Sequence, residues 1–142
     1  MSDDVKTLKV HMVTHVASAH SLEVGDVDNH TVALARFSGL AFYGDGTVGP
    51  VNFASLTDYT GGAGNFTLFP ILSFDDGSEL WLKSVGTAKV DGGKTRFTGT
   101  LAVVGGKGRF TDAKGDGSLT GTRHTPLELG ADLVSDYTIH LR

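Results

Sequence analysis

The chain has 142 residues, enough for one domain, residues 1–142, with one buried core. Its net charge of −4 and the scatter of its basic residues give no phosphate-binding stripe, which excludes a nucleic-acid partner. Without cysteine there is no disulfide framework, thiol nucleophile or thiolate metal site. No apolar run follows the polar start Met1 to Lys6, so neither a leader nor a membrane span is expected and the expected location is the cytoplasm.

Glycine is over-used, with 20 residues against 3 prolines, and the glycines fall between short β-rich runs. That pattern predicts an all-β sandwich or barrel. The first strand is expected over Val5 to Val16. Leu8, Val10, Met12, Thr14 and Val16 alternate with Lys9, His11, Val13 and His15. Ala17 to Asn29 reads as a polar connection with room for a turn of helix. The second strand runs from Thr31 to Tyr43. There Val32, Leu34, Ser38, Leu40 and Phe42 share a face with Arg36, and that face is expected to be buried.

Gly44-Asp45-Gly46 is a hairpin turn. Val48 to Tyr59 forms a third strand, with Val51, Phe53, Ser55, Thr57 and Tyr59 on one face, and Gly61-Gly62-Ala63-Gly64 closes it. The fourth, Asn65 to Phe74, contains Pro70, which cannot donate to a ladder and so predicts an edge or bulge. After the Asp75-Asp76-Gly77 turn, Ser78 to Val90 carries the only tryptophan, Trp81. Thr95 to Val104 is the sixth strand, Gly117 to Thr125 the seventh, and Ala131 to Leu141 the eighth, with Pro126 to Gly130 between the last two. Eight strands joined mostly by short turns suit a closed antiparallel up-and-down barrel, with a sandwich as the alternative.

The stretch Val103 to Gly121 concentrates the glycines. Gly105-Gly106-Lys107-Gly108-Arg109-Phe110, then Gly115 and Gly117, predict two strands joined by a tight ordered corner with one aromatic anchor. This corner resembles the signature of the allene oxide cyclase and dirigent barrel superfamily. So do Asp76-Gly77-Ser78 with Leu80 and Leu82, as in bacterial members, and the closing Tyr137-Thr138-Ile139-His140-Leu141. The resemblance covers the last 80 residues or so well, and the first 60 or so only in strand layout. It implies an eight-stranded, calycin-type barrel, often trimeric or dimeric, with an apolar cavity. Its members steer cyclisation or radical coupling of reactive small molecules without a cofactor. In the plant cyclases a glutamate and an asparagine on the first strand act on the epoxide. Met12 and Thr14 stand in the corresponding register here, which argues against genuine allene oxide cyclase activity.

Arg36 is the most informative charge. A buried guanidinium needs a partner or a ligand. It either anchors a carboxylate or enolate oxygen inside the barrel, or forms an ion pair with Glu79 or Asp58, or faces outward. Glu79 and Asp58 become candidate acids or bases if an apolar cavity raises their pKa, but solvated acids are common after a hairpin turn. Tyr59 and Tyr137 share faces with apolar neighbours. Either hydroxyl donates to a developing oxyanion or satisfies a backbone carbonyl. Met12, Phe42, Phe53, Phe69 and Trp81 are the candidate walls of a flat apolar pocket, or plain core. His11 and His15, four apart on a strand, stand about 13 Å apart, too far to share a metal. His30 opens a strand near an expected barrel mouth.

The resulting reading is a barrel that binds a small apolar or amphipathic molecule and directs its cyclisation or isomerisation, with no cofactor or metal implied. Arg36, Tyr59, Tyr137 and Glu79 carry the chemistry in this reading. A non-catalytic carrier, or a filled barrel used as an assembly module, are the rivals, and whether the protein is an enzyme stays open. Ala33, Ala35, Phe37, Leu56, Phe66, Leu68, Leu72 and Phe74 are expected on the outer faces, where they need cover. A homo-oligomer follows, trimer before dimer.

Overall fold

In the computed structural model, which describes residues 6–126 and 129–142, the alternating segments become eight strands. They are β1 (Lys6–Glu23), β2 (His30–Tyr43), β3 (Val48–Thr60), β4 (Ala63–Ser73), β5 (Glu79–Asp91), β6 (Lys94–Lys107), β7 (Gly115–Arg123) and β8 (Leu133–Leu141). Each pairs antiparallel with its neighbours in chain order, and β8 returns to β1 through Leu8 opposite Ile139, closing the barrel. The barrel reading therefore holds over the sandwich alternative. Val5, expected to start the first strand, and Leu127-Glu128 of the last connection lie outside the described residues.

The first strand is longer than alternation suggests. Val16 pairs with Phe37 and Ser18 with Arg36, leaving Ala17 as an extra, bulged residue. A bulge shifts which residues point inward. Met12 and Thr14 face in before it, and Ala19 and Ser21 face in after it. The expected polar connection is therefore the second half of β1. Pro70 sits buried within β4, opposite Phe53 of β3, in a closed sheet that has no edge. Its missing donor shows instead as a gap in the ladder to β5, which is interrupted at Phe69 and Pro70.

The facing of β2 is the reverse of the expectation. Leu34, Arg36, Leu40 and Phe42 point to solvent, and Ala33, Ala35, Phe37, Ala41 and Tyr43 point into the barrel. Of the residues expected outside, only Leu56 is there; Ala33, Ala35, Phe37, Phe66, Leu68, Leu72 and Phe74 all contribute to the interior. Both faces of these strands are apolar, so period-two alternation alone does not choose between them.

The two ends of the barrel differ. At one end, formed by the β2–β3, β4–β5 and β6–β7 connections, the interior is filled. Tyr43 stacks on Phe74 at 4.5 Å, and Phe74 meets Phe110 at 4.8 Å, above Leu80, Leu82 and Ile139. The glycine corner builds this plug. Val104 is bulged out of the β5–β6 ladder, and one turn of 3-10 helix, Gly108–Phe110, follows. Gly108 has a φ of 66° and its α-carbon lies against Ser78, so a side chain there would be both strained and blocked. The Arg109 amide donates to Ser78 Oγ at 3.1 Å, and the Arg109 guanidinium covers the Phe74 ring at 4.7 Å. Two of the three motifs that carried the family resemblance in sequence, the corner and Asp76-Gly77-Ser78, are thus one assembly in space.

Candidate functional site

The other end, formed by the β1–β2, β3–β4, β5–β6 and β7–β8 connections, is not filled. Small side chains turn inward here: Ala19 and Ser21 from β1, Ala33 and Ala35 from β2, Ser55 and Thr57 from β3. What they leave is a cavity of about 290 Å³. That lies at the lower end of the range for small-molecule sites. Its walls are Phe37, Phe53, Phe66, Leu68, Phe97, Leu119 and Leu133. Phe37 and Phe53 stack nearly parallel at 4.9 Å and 7°, and Phe66 meets Phe97 edge-on at 5.8 Å. The surface offered to a ligand is mostly apolar, with four phenylalanine rings in it.

Few polar groups interrupt it. Tyr137 is buried on β8, and burial pushes its phenol pKa up. Tyr59, near the end of β3, is pushed up to about 12 by burial, with the Arg123 cation pulling the other way. Both phenols are therefore neutral donors at physiological pH. Ser55 donates to the Ala35 carbonyl at 3.5 Å. Arg123, the last residue of β7, lines the same cavity and donates from Nη2 to Thr95 Oγ1 at 3.3 Å. Among the described residues, no Asp, Glu or His lines the cavity. Nor do any three or more His, Cys, Asp or Glu of the described residues gather as a metal would need.

The structure sorts the sequence candidates sharply. Phe53, Tyr59 and Tyr137 line the cavity. Met12 is fully buried but belongs to the packed core and not to the cavity wall. Arg36 is corrected: its guanidinium lies on the outer face, donating to Asn52 Oδ1 at 2.7 Å. Glu79 is corrected too. It accepts from Trp81 Nε1 at 2.9 Å and pairs with Lys107 at 3.4 Å on the outside. The Trp81 hydrogen bond, then Lys107, hold its carboxyl below the usual range, the opposite of a raised general acid. Phe42, Phe69 and Trp81 also face outward, each at least a third exposed, and form no part of the cavity. Arg123 and Ser21 are what the sequence reading missed. Parity along β7, where Gly117, Leu119, Gly121 and Arg123 share one face, is the signal that finds Arg123.

No family model and no curated protein matches the chain. Solved structures do match, at the level of fold. The pterocarpan synthase dirigent protein GePTS1 superposes with a TM-score of 0.59 at 16% identity, covering 100% of this chain and 95% of that one. The pterocarpan synthase dirigent protein PsPTS1 does so at 0.59 and 17%, covering 96% and 94%. A conserved protein of unknown function from Rhodopseudomonas palustris gives 0.60 and 13%, covering 99% and 100%. The fold is that of the dirigent-like barrels, as the glycine corner implies.

Proposed function

We propose that this barrel binds a small apolar or amphipathic molecule in its open end and directs a cofactor-independent cyclisation or isomerisation of it. The observation that carries the reading is the aromatic cavity of about 290 Å³ crossed by two neutral phenols and one guanidinium. Holding a flexible molecule folded against such walls, away from water, lowers the entropic part of a ring-closing barrier. Tyr59 and Tyr137 supply hydrogen bonds to an oxygen on which charge develops. The fold shared with two pterocarpan synthase dirigent proteins is in keeping with this.

A carrier is the second reading, and one observation favours it. With no carboxylate or imidazole among the described cavity residues, the site has no ordinary base near neutral pH. Native mass spectrometry of the protein taken from its own host, beside Ala35→Phe, which puts a ring into the cavity, separates the cases. A small molecule present in the wild type and absent from the variant supports a binding barrel. Incubated with fresh protein and followed by chromatography, its conversion to an isomer of equal mass supports the enzyme, and its return unchanged supports the carrier. A wild type that carries nothing, and takes up no member of a panel of small aromatic and aliphatic compounds, sinks both.

We further propose that the protein is a homo-oligomer, trimer before dimer. The support is now a different set of residues, with Leu34, Leu40, Phe42, Leu56 and Phe69 exposed on neighbouring strands. Apolar surface of this kind is what an isologous or ring interface covers. Sedimentation of a clean monomer at micromolar concentration would sink this.

A further inference from the structure

We propose that the ligand is an organic carboxylate with a flat apolar body, its anionic oxygens held by Arg123. This deepens the reading of the cavity as a ligand site and rests on it. Arg123 stands on the inward face of β7, at the rim of an aromatic cavity. Arg123 is half-buried there, and a guanidinium turned toward an apolar cavity normally has a carboxylate beside it. Here none of the ion pairs among the described residues includes Arg123. One Nη2 hydrogen goes to Thr95 Oγ1, and Thr95 is itself buried, which fixes the direction of the head group. The remainder of the planar donor fork matches the two oxygens of a carboxylate.

Tyr59 adds to the same point. Its phenol is within electrostatic reach of Arg123 and stays protonated, so it donates to an anion that the guanidinium holds. Beyond these two groups the wall is Phe37, Phe53, Phe66 and Phe97, and stacked rings accept a flat apolar body. The site thus has one charged pole at the rim and an aromatic floor. The sequence assigned this kind of anchor to Arg36; the barrel places it on β7 instead.

The test is calorimetric titration of the full chain with 2-naphthoate and its uncharged isostere 2-naphthamide, at neutral pH. The wild type is expected to bind the carboxylate at least about tenfold more tightly, the span a charge-assisted hydrogen bond supplies. Arg123→Gln lowers carboxylate affinity about tenfold more than amide affinity and so erases that preference. Arg123→Lys keeps part of it, as a point charge without the fork. Ala35→Phe abolishes binding of both compounds. Equal affinities in the wild type overturn the carboxylate inference and leave the cavity reading standing, and this comparison needs no variant. A preference that survives Arg123→Gln overturns it as well. Binding of neither compound by the wild type overturns this inference, and the panel of small aromatic and aliphatic compounds then decides whether the cavity reading falls with it.

Discussion

The two ends of this barrel use the same eight strands and differ in the size of the side chains turned inward. β2 shows both in one segment. Tyr43 at one end stacks on Phe74, and Ala35 and Ala33 at the other leave room. β3 and β8 repeat the pattern more weakly, with Val51 and Ile139 in the packed half and Ser55 and Ser135 beside the cavity. An eight-stranded barrel is just wide enough for side chains to fill it. Whether it stores a ligand is therefore decided by the volume of inward residues, layer by layer, and not by how apolar they are. The packed end holds the fold, and the open end is free to serve a ligand.

That division predicts opposite responses to mutation. Leu80 is fully buried in the packed half. Leu80→Ala is expected to cost about 2–5 kcal/mol, the transfer term plus the cavity left behind. Urea denaturation measures it, and carboxylate binding by the surviving folded fraction should be unaltered. Ala35→Phe at the open end is expected to change stability by no more than about 1 kcal/mol, because space already exists for the ring, while it abolishes binding. If the two variants cost the same, the ends are not functionally distinct and the comparison fails.

Most of the strands, their order and the tight glycine corner were legible in the sequence because each has a local cause. Gly44-Asp45-Gly46 and Asp75-Asp76-Gly77 make turns with neighbours only, and the clustered glycines Gly105, Gly106 and Gly108 mark the corner, whose anchoring on Ser78 is a long-range contact that no local signal shows. The facing of β2 was not legible. Its even positions, Val32, Leu34, Leu40 and Phe42, are bulkier than Ala33, Ala35 and Ala41, so reading the bulkier row as core sends Arg36 inward. A ligand cavity inverts that rule, since its strands must present small residues to the inside and leave large ones for the surface. The β1 bulge at Ala17 hid the rest. It moves Ala19 and Ser21 onto the inner face, against the parity set by Met12 and Thr14. Phe69 and Trp81 failed for a related reason. β4 is apolar on both faces, and Trp81 satisfies its indole N–H with Glu79 on the outer surface.

A finer test lies within the packed half. Thr14 is fully buried, and its hydroxyl has no hydrogen-bond partner among the described residues. An unpaired buried hydroxyl costs free energy that a methyl of the same shape does not. Thr14→Val is expected to raise unfolding free energy by about 1 kcal/mol. Chemical denaturation curves with equal slopes and a higher midpoint would sharpen the picture of that half as purely structural. A lower midpoint would show that the hydroxyl is held, and that the packed half contains a polar contact of its own.

The smallest effect belongs to the rim of the open end. His30, the first residue of β2, meets Asp26 through Nδ1 at 2.8 Å and Asp58 through Nε2 at 2.6 Å. Only the imidazolium donates from both nitrogens at once, so the two carboxylates favour the charged ring. The Asp26 hydrogen bond, then that of Asp58, raise the His30 pKa above 6.5, and His30 in turn lowers that of Asp26 below 3.8. The bonds tie the β1–β2 connection, which carries Asp26, to β3, which carries Asp58. A raised pKa means that the stabilisation by His30 is complete below 6.5 and fades as pH rises through its folded value. A lowered one means that the stabilisation by Asp26 is complete above 3.8 and fades as pH falls through its folded value. The clasp is therefore strongest between those two limits. Hydrogen exchange over Val24 to Asn29, corrected for intrinsic rates, should show its greatest protection there and lose it on the alkaline side. His30→Gln should flatten that profile and leave protection of the packed end untouched. A profile of unchanged shape in the variant would mean that the rim is held by its backbone bonds, Val24 to His30 and Gly61 to Asn29, and that the open end owes nothing to this charge cluster.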